Sequence, residues 1–389
     1  MTVCIVGWSH GVFGRQPEAS LESLLGAVAV GAVADAGIEA AELDAAFVGV
    51  LNAGFSRQDF PAPLLLQAAD GLRYKPVTRV ENACASGSAA LHAAINFIEA
   101  GRGRLVLVAG AEKMSDVSTD QAGDNLLSCS YRSEEGDMPG GFAGVFGRIA
   151  QQYFAKHGDK SAALARIAAK NHLNALGNPY AQMRKDLGFE FCNTVSEKNP
   201  LVAAPLRRTD CSPLSDGAAA IVLADVDTAL AMQKAVVFRA AQHVTDFMPL
   251  SRRDPTRLTG AAAAWSRAFE QSRLALQDLS LVEVHDCFTI AELMAYEAMG
   301  LAPYGQGARA IDEGWVLKDG VLPVNASGGL KAKGHPIGAT GVSMHALAAM
   351  QLTGQAGEMQ IPGAHLGAVF NMGGSGVANY VSILEPLHA

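Results

Sequence analysis

Charged and aromatic residues are scarce in this 389-residue sequence, at 17% and 6% of the chain. Basic residues are also too few to balance the acidic ones, and the net charge is -8. That charge argues against a nucleic-acid-binding surface spread over the molecule. The first 20 residues lack the basic segment and apolar run of a signal peptide. We therefore expect a cytoplasmic protein that does not bind nucleic acid.

Paired cysteines are absent as well. The six cysteines stand far apart, so the CxxC spacing of structural zinc sites does not occur. A chain of this length can bury a large core and does not need disulfide bonds for stability. We therefore expect no metal, and each cysteine becomes a separate candidate for chemistry.

Two long stretches contain no Asp, Glu, Lys or Arg, namely Gly334 to Gly357 and Met359 to Leu384. Each is long enough to cross a bilayer. Both are interrupted by His, Pro, Gln and repeated Gly, and the second also by Asn, so neither forms the continuous apolar helix that a bilayer requires. We expect them to form the buried interior of a large protein, with no membrane span.

Short apolar segments alternate with helical patterns along the chain, which is typical of an α/β fold. A helix is predicted over Leu21 to Asp35. Strands are predicted at Thr2 to Gly7, Ala46 to Leu51, Arg104 to Gly110, Ala218 to Ala224, Leu281 to Val284, Val321 to Val324, Gly367 to Phe370 and Tyr380 to Leu384. The polar, turn-rich and then helical segment before Pro205 interrupts this pattern, which indicates an insertion.

The two halves of the chain resemble each other weakly. ACASGSAALHAA around Cys84 and GATGVSMHALAA around Thr340 each join a small-residue turn to an apolar helix that holds a histidine. A duplicated α/β unit explains this, although Ala- and Gly-rich helices could also match by coincidence. We predict one half over residues 1–118 and 206–234, an inserted loop domain over 119–205, and a second half over 235–389.

Cys84 lies in VENACASGSAA, between an extended segment and a run of small helix-compatible residues. A thiol at a helix N-terminus is close to free amides and to the positive end of the helix dipole. Both favour the nucleophilic thiolate. A buried structural cysteine is the alternative interpretation.

A second thiol follows a predicted strand in EVHDCFTI, where His285, Asp286 and Cys287 stand at the strand's C-terminal end. Alternation along an extended chain points His285 and Cys287 to the same side, so an imidazole and a thiol could share one pocket. Asp286 is predicted to cap the helix that follows. Two ordinary core residues are the alternative for the pair.

Glycine-rich segments near the C-terminus permit close backbone approach. NASGGLKAKGHPIGATG places His335 directly before a proline, and it matches neither of the phosphate-binding motifs GxxxxGK[S/T] and GxGxxG. NMGGSG follows a predicted strand, and its amides could form either an oxyanion hole or an ordinary turn. Together the four segments hold the groups that acyl transfer through a thioester requires.

NACASG, GHPIGATG and the terminal GG turn, in this order, resemble the thiolase superfamily over essentially the whole chain. HDCF at His285 to Phe288 is similar to the sterol-carrier-protein type of thiolase, which has it where conventional thiolases have NEAF. PLRRTDCSPLSDGAAA and KNHLNALGNPYAQ resemble the same subgroup. The resemblance implies a thiolase fold of two similar α/β halves in five αβαβα layers, assembled as a homodimer or a dimer of dimers.

By this resemblance Cys84 is the nucleophile that becomes acylated, and His335 is the base that activates it. Cys287 is the acid/base thiol. His285 takes the place of the NEAF asparagine and helps His335 to stabilise the enolate oxygen. The backbone amides of Cys84 and Gly373 hold the acyl-thioester oxygen.

Asn371 departs from the pattern, because conventional thiolases have their second cysteine at this position in a CxGG motif. The departure raises the alternative of a noncatalytic acyl-CoA-binding subunit, although Cys287 offers a replacement thiol. A further alternative is carbon-carbon cleavage of the aldol type, since some thiolase-like relatives are lyases that work with a small OB-fold partner protein. A retro-aldol reaction would not need to acylate Cys84.

The implied activity is CoA-dependent acyl transfer, which either cleaves a 3-ketoacyl-CoA or condenses acyl-CoA with acetyl-CoA. CoA is then a substrate, and no cofactor is permanently bound. The segment from Lys156 to Asp186 holds six basic residues against two acidic ones. We predict that it binds the CoA phosphates, with Arg184 and Lys185 as candidates. A solvated helix face is the alternative.

Overall fold

The computed structural model describes residues 3–387, which alternate between strands and helices. The strands are β1 (Val3–His10), β2 (Ala45–Gly49), β3 (Val77–Val80), β4 (Leu105–Glu112), β5 (Leu201–Ala203), β6 (Leu206–Arg207), β7 (Gly217–Asp225), β8 (Val236–Thr245), β9 (Leu281–Val284), β10 (Gly367–Gly373) and β11 (Ala378–Pro386). The helices are α1 (Leu21–Ala36), α2 (Ser86–Glu99), α3 (Thr119–Leu127), α4 (Arg132–Glu135), α5 (Gly141–His157), α6 (Ser161–Asn174), α7 (Gly188–Asn193), α8 (Val226–Ala229), α9 (Thr259–Ser272), α10 (Thr289–Ala298), α11 (Ala308–Asp312), α12 (Gly329–Lys333) and α13 (Ile337–Leu352).

Nine of these strands form one mixed sheet in the order β3-β2-β4-β7-β1-β8-β11-β10-β9. The first five come from the N-terminal part of the chain and the last four from the C-terminal part. The two groups join where β1 pairs with β8 in antiparallel orientation. β2 runs parallel to β3 and β4, and β9 runs parallel to β10. The predicted α/β class is confirmed.

Apolar strands stand at the centre of the sheet because helices cover both of its faces. Every residue of β4 is buried, and so is all of β7 except its last residue. Side chains on one face pack with α1, and those on the other face pack with α2. Because side chains alternate between the two faces along each strand, they form two separate apolar layers, one on each side of the sheet.

Helix α13 is buried along its whole length. It contacts α2, the N-terminal strands β4 and β7, and the C-terminal strand β10. A helix surrounded on all sides must be apolar all round. This explains the charge-free stretch that contains α13. Within residues 3–387, no helix is both long and apolar enough to cross a membrane.

Helices α2 and α13, the two segments of the weak sequence repeat, approach each other closely. A Cβ added to Gly87 would lie 2.8 Å from the carbonyl oxygen of Gly338, and one added to Gly341 would lie 2.3 Å from the amide of Ser88. Only glycine fits at such distances. The small residues of both motifs therefore allow the N-terminal ends of the two helices to meet.

Residues 113–216, between β4 and β7, contribute no strand to the nine-stranded sheet. They form helices α3 to α7 and the hairpin of β5 and β6. The exact bounds of a loop domain at 119–205, like those of the two halves around it, stay a prediction.

The predicted strand over Val321 to Val324 is wrong. Val321 is 82% exposed, and only Val324 pairs, through a single bridge to Val282 of β9. Pro323 has no backbone N–H to donate to a ladder, which limits the pairing. The other predicted strands are confirmed within one to three residues at their ends, although Thr2 lies outside the described residues.

Candidate active site

Cys84 lies in the turn between β3 and α2 and is 2% exposed. Ala83, the residue before it, has a φ of 51°, a left-handed conformation that is strained for a residue with a Cβ. The Ser86 hydroxyl accepts from the Asn82 amide at 2.9 Å and donates to the Ala83 carbonyl at 2.7 Å. This closed turn holds Cys84 immediately before the helix, which confirms its predicted position.

His335 lies directly before Pro336 and α13, and it is buried. Its backbone amide donates to Ser215 Oγ at 3.0 Å, and its Nδ1 lies 2.6 Å from Thr340 Oγ1. Burial and the nearby positive charge of Lys333 lower the pKa of His335 to about 3. The ring is therefore neutral near pH 7 and able to accept a proton.

His285 follows β9 and is fully buried. Its Nδ1 lies 2.8 Å from Nδ2 of Asn371 in β10. Burial, followed by the charges of His335 and Lys333, holds the pKa of His285 well below its usual range. His285 is therefore a second neutral imidazole, fixed in place by the residue that departs from the conventional CxGG motif.

Cys84, His285 and His335 meet although they come from distant parts of the chain. Their reactive atoms all lie within 4.8 Å of one another. The Nε2 atoms of both histidines are buried without a hydrogen-bond partner. One thiol and two imidazoles are ligands that Zn²⁺ accepts. The expectation of no metal therefore stays a prediction, which metal analysis of the purified protein would test.

A cavity of about 530 Å³ opens beside this cluster. Cys84, Cys287 and His335 line it, whereas His285 does not. Much of the remaining wall is apolar and includes Met114, Leu126, Met138, Phe142, Phe288 and Ile337. The wall therefore has room for an apolar group directly beside the Cys84 thiol.

Cys287 is 3% exposed and faces the cavity. Burial, and then the neighbouring carboxyl of Asp286, raise the pKa of the Cys287 thiol well above its usual range. The thiol is therefore protonated near pH 7 and can donate a proton. The expectation that His285 and Cys287 share one pocket holds only in part, because Cys287 lines the cavity while His285 contacts Asn371.

Asp286 does not cap α10, so that prediction is wrong. Its carboxylate accepts from the backbone amides of Leu330 at 2.6 Å and Lys331 at 3.2 Å, in the first turn of α12. It also accepts from Asn171 Nδ2 at 2.8 Å. Because the chain turns after β9, these amides take the carboxylate instead. Asp286 thus ties the HDCF segment to the loop that leads to His335.

Gly373 is buried at the C-terminal end of β10. A Cβ there would lie 2.4 Å from the carbonyl oxygen of Asn82, in the turn that carries Cys84. Glycine is therefore required for β10 to approach that turn. The role of the Gly373 and Cys84 amides as an oxyanion hole stays a prediction.

Two thiols near the site were missed by sequence reasoning. Cys129, just after α3, is buried against Cys84, and a hydrogen bond to Cys84 together with burial raises the pKa of Cys129 well above the usual range. Cys211 lines the cavity, and burial raises its pKa to about 12. Cys129 stands in no local pattern that signals a site, whereas Cys211 stands in PLRRTDCSPLSDGAAA, a segment that resembles the sterol-carrier-protein subgroup.

Three of the six basic residues between Lys156 and Asp186 are paired with acidic residues. Lys156, Arg166 and Lys170 form ion pairs with Asp254, Asp312 and Glu292. Arg184 donates to the Leu176 carbonyl at 2.9 Å and lines a separate small cavity. Neither Arg184 nor Lys185 lines the cavity beside Cys84, whose charged lining residues include Asp120 and Asp124. Binding of CoA phosphates by Arg184 and Lys185 stays a prediction.

Comparison with known families agrees with this fold. Residues 3–227 match the thiolase N-terminal domain, and residues 241–386 match the thiolase C-terminal domain-like family. The chain belongs to the thiolase family. The junction between the two matched regions contains the start of β8, the strand that joins the two parts of the sheet.

Relatives place the chain more narrowly. It is 38% identical over 388 residues to an acetyl-CoA acetyltransferase of Methanothermobacter thermautotrophicus, covering 98% of this chain and 99% of that protein. It is 35% identical to human sterol carrier protein 2, covering 78% of this chain and 57% of that protein. Both results confirm the resemblance to sterol-carrier-protein-type thiolases.

A solved structure of similar fold is the Ltp2-ChsH2(DUF35) aldolase. It aligns with a TM-score of 0.84 at 21% identity and covers 99% of this chain and 97% of that chain. At this level of identity the likeness establishes the fold alone.

Proposed function

We propose that this protein is a CoA-dependent acyltransferase of the thiolase type that works through an acyl-enzyme on Cys84. The meeting of Cys84, His285 and His335 within 4.8 Å, beside a cavity that Cys287 also lines, carries the proposal. A 38% identical relative is named acetyl-CoA acetyltransferase, which supports CoA as the substrate carrier.

Acylation starts with His335, whose neutral ring takes the proton of Cys84. The thiolate attacks the 3-keto carbonyl of a 3-ketoacyl-CoA, and a Cys84 S–C bond forms. The backbone amides of Cys84 and Gly373 stabilise the charge on the acyl oxygen.

Carbon-carbon cleavage follows as the bond between C2 and C3 breaks and its electron pair moves into the enolate of acetyl-CoA. His285 and the protonated His335 stabilise the enolate oxygen. Cys287 donates its proton to C2, and acetyl-CoA leaves. The CoA thiol then gives its proton to the Cys287 thiolate, and its sulfur attacks the acyl carbon. The Cys84 S–C bond breaks, Cys84 takes back the proton held by His335, and a shortened acyl-CoA leaves. Condensation is the same sequence in reverse.

The proposal includes the predicted architecture and assembly. It places two similar halves in five αβαβα layers, a loop domain over CoA, and a homodimer or a dimer of dimers. Residues of α3 and of the N-terminal turn of α5 line the cavity beside Cys84, which supports a covering role for the inserted segment.

Intact mass spectrometry tests the acyl-enzyme. Incubation with acetyl-CoA or acetoacetyl-CoA should add one acyl group that maps to the peptide containing Cys84, and Cys84→Ala should remain unmodified. Labelling that persists in Cys84→Ala would contradict the assignment. Turnover with no acylation of Cys84 would instead favour the aldol-type lyase with an OB-fold partner. Binding of acyl-CoA with neither acylation nor turnover would favour the noncatalytic subunit.

A further inference from the structure

Asn371 makes three hydrogen bonds at the back of the site. Its Nδ2 lies 2.8 Å from Nδ1 of His285 and 3.3 Å from the carbonyl oxygen of Cys84, and its Oδ1 accepts from Ser88 Oγ at 2.7 Å. Asn371, Ser88 and His285 are at most 1% exposed. A carbonyl oxygen can only accept, so the contact with Cys84 requires the NH₂ group of Asn371 on this side. The orientation of the amide is thereby fixed.

The position of the proton on His285 follows from that orientation. Because the Asn371 NH₂ group donates to Nδ1, Nδ1 must be the unprotonated nitrogen of the neutral ring. The proton of His285 then lies on Nε2, which is buried without a partner. His285 thus presents an N–H donor toward Cys84 and His335.

His335 has the opposite arrangement. Its Nδ1 lies 2.6 Å from Thr340 Oγ1, and the same hydroxyl lies 3.0 Å from the Pro336 carbonyl oxygen. The single hydroxyl proton of Thr340 is used by that carbonyl, which can only accept. Thr340 Oγ1 therefore accepts from Nδ1–H of His335, and the unpartnered Nε2 of His335 carries a lone pair.

We infer that Asn371 is a positioning residue that keeps the proton of His285 on Nε2, so that His285 donates a hydrogen bond to the enolate oxygen of the substrate. The inference rests on the proposed function. Before substrate binds, His285 is then a hydrogen-bond donor and His335 an acceptor. Asn371 fixes the proton position on His285, and Thr340 fixes it on His335. Cys287 then supplies the thiol that conventional thiolases have in CxGG, and Asn371 at that position supports the ring of His285.

Nitrogen-15 NMR of histidine-labelled protein tests the proton position without any activity. The His285 signals are those that vanish in His285→Ala. At pH 7.5 we expect an unprotonated Nδ1 and a protonated Nε2 on His285. In Asn371→Asp, a carboxylate facing Nδ1 should draw a proton onto that nitrogen. A protonated Nδ1 on His285 in the wild-type protein would overturn the inference.

Kinetics of Asn371→Cys test the consequence for catalysis. This change restores the conventional cysteine but removes the amide donor. We expect carbon-carbon cleavage of acetoacetyl-CoA to fall about 10- to 100-fold, while acylation of Cys84 by acetyl-CoA stays within about 3-fold of wild type. Thr340→Val is the matched comparison, and it should slow acylation because it frees the ring of His335. Equal loss of acylation in both variants would mean that Asn371 has only a structural role.

A double variant separates positioning from folding. If Asn371 acts through His285, adding Asn371→Cys to His285→Ala should cause no further loss of carbon-carbon cleavage. Losses that multiply would contradict the inference. Failure of the proposed function would look different, because the wild-type protein would then neither acylate Cys84 nor cleave acetoacetyl-CoA, whatever the NMR spectrum shows.

Discussion

The rings of His285 and His335 lie edge to face, with their centroids 5.0 Å apart and their planes at 86°. Each ring is held through its Nδ1, and each leaves its Nε2 unpartnered beside Cys84. Burial keeps both rings neutral. The two histidines are therefore independent groups with separate supports, and substitutions can separate their roles.

His285→Ala should lower condensation and thiolysis about 100- to 1,000-fold, because it removes a donor to charge that exists only during carbon-carbon bond making or breaking. Acylation of Cys84 from a supplied thioester should survive. His335→Ala should impair both steps, since Cys84 loses its base. Rapid-quench mass spectrometry measures the two steps separately. Wild-type cleavage of acetoacetyl-CoA by His285→Ala, or equal loss of acylation in both variants, would contradict this division.

Cys287→Ala should lower turnover about 100-fold or more, because in the proposed mechanism the buried, protonated thiol supplies the proton to the leaving enolate. Acylation of Cys84 should fall much less. Cys192→Ala is the matched control, since Cys192 is equally buried but lies away from the cavity. Steady-state and burst kinetics give the comparison. Equal turnover of Cys287→Ala and wild type would exclude the assigned role.

The Michaelis constant for CoA substrates should rise with ionic strength if Arg184 and Lys185 bind phosphates, because salt screens exposed charges. Changing both residues to Ala should weaken that dependence. Arg166→Ala removes a cation already paired with Asp312, and it should leave the salt dependence of the Michaelis constant unchanged. A Michaelis constant that does not depend on salt would mean that Arg184 and Lys185 are ordinary solvated surface charges.

Acidification should destabilise the protein below about pH 6.5. Burial lowers the pKa of five histidines from 6.5 to about 3 or 4, namely His10, His92, His172, His335 and His345. The unfolded chain therefore binds more protons than the folded one between these values. The stabilisation is complete above pH 6.5 and is lost as the pH falls toward 3, at about 1.4 kcal/mol per pH unit for each proton.

Two buried carboxyls act in the opposite direction. Burial raises the pKa of Glu112 and Asp286 to about 7, so their contribution falls as the pH rises from about 4 to 7. Burial also lowers the pKa of His157, His243 and His285, and it raises the pKa of Glu283 and Glu297. Eight histidines thus outnumber four carboxyls, and the free energy of unfolding from urea titrations should decrease from pH 7.5 to pH 5. An increase over that range would contradict the prediction.

Much of the fold was predictable because local patterns carry it. The apolar run of β7 and the small-residue start of α2 are each readable within a dozen residues. The prediction of a strand at Val321 to Val324 was wrong because apolar content alone does not reveal that Val321 faces solvent. The prediction that Asp286 caps α10 was wrong because its hydrogen-bond partners in α12 lie more than forty residues further along the chain.

The sequence by itself determined which groups are candidates for chemistry and where each stands in its own segment: Cys84 before α2, His335 before α13, and His285 with Cys287 after β9. The tertiary structure alone decided that Cys84 and both histidines meet, that Cys129 touches Cys84, and that Asn371 faces Nδ1 of His285. These contacts join residues that are from 45 to 251 positions apart. Periodicity and capping signals act over one or two turns of chain, whereas such contacts depend on how whole helices and strands pack.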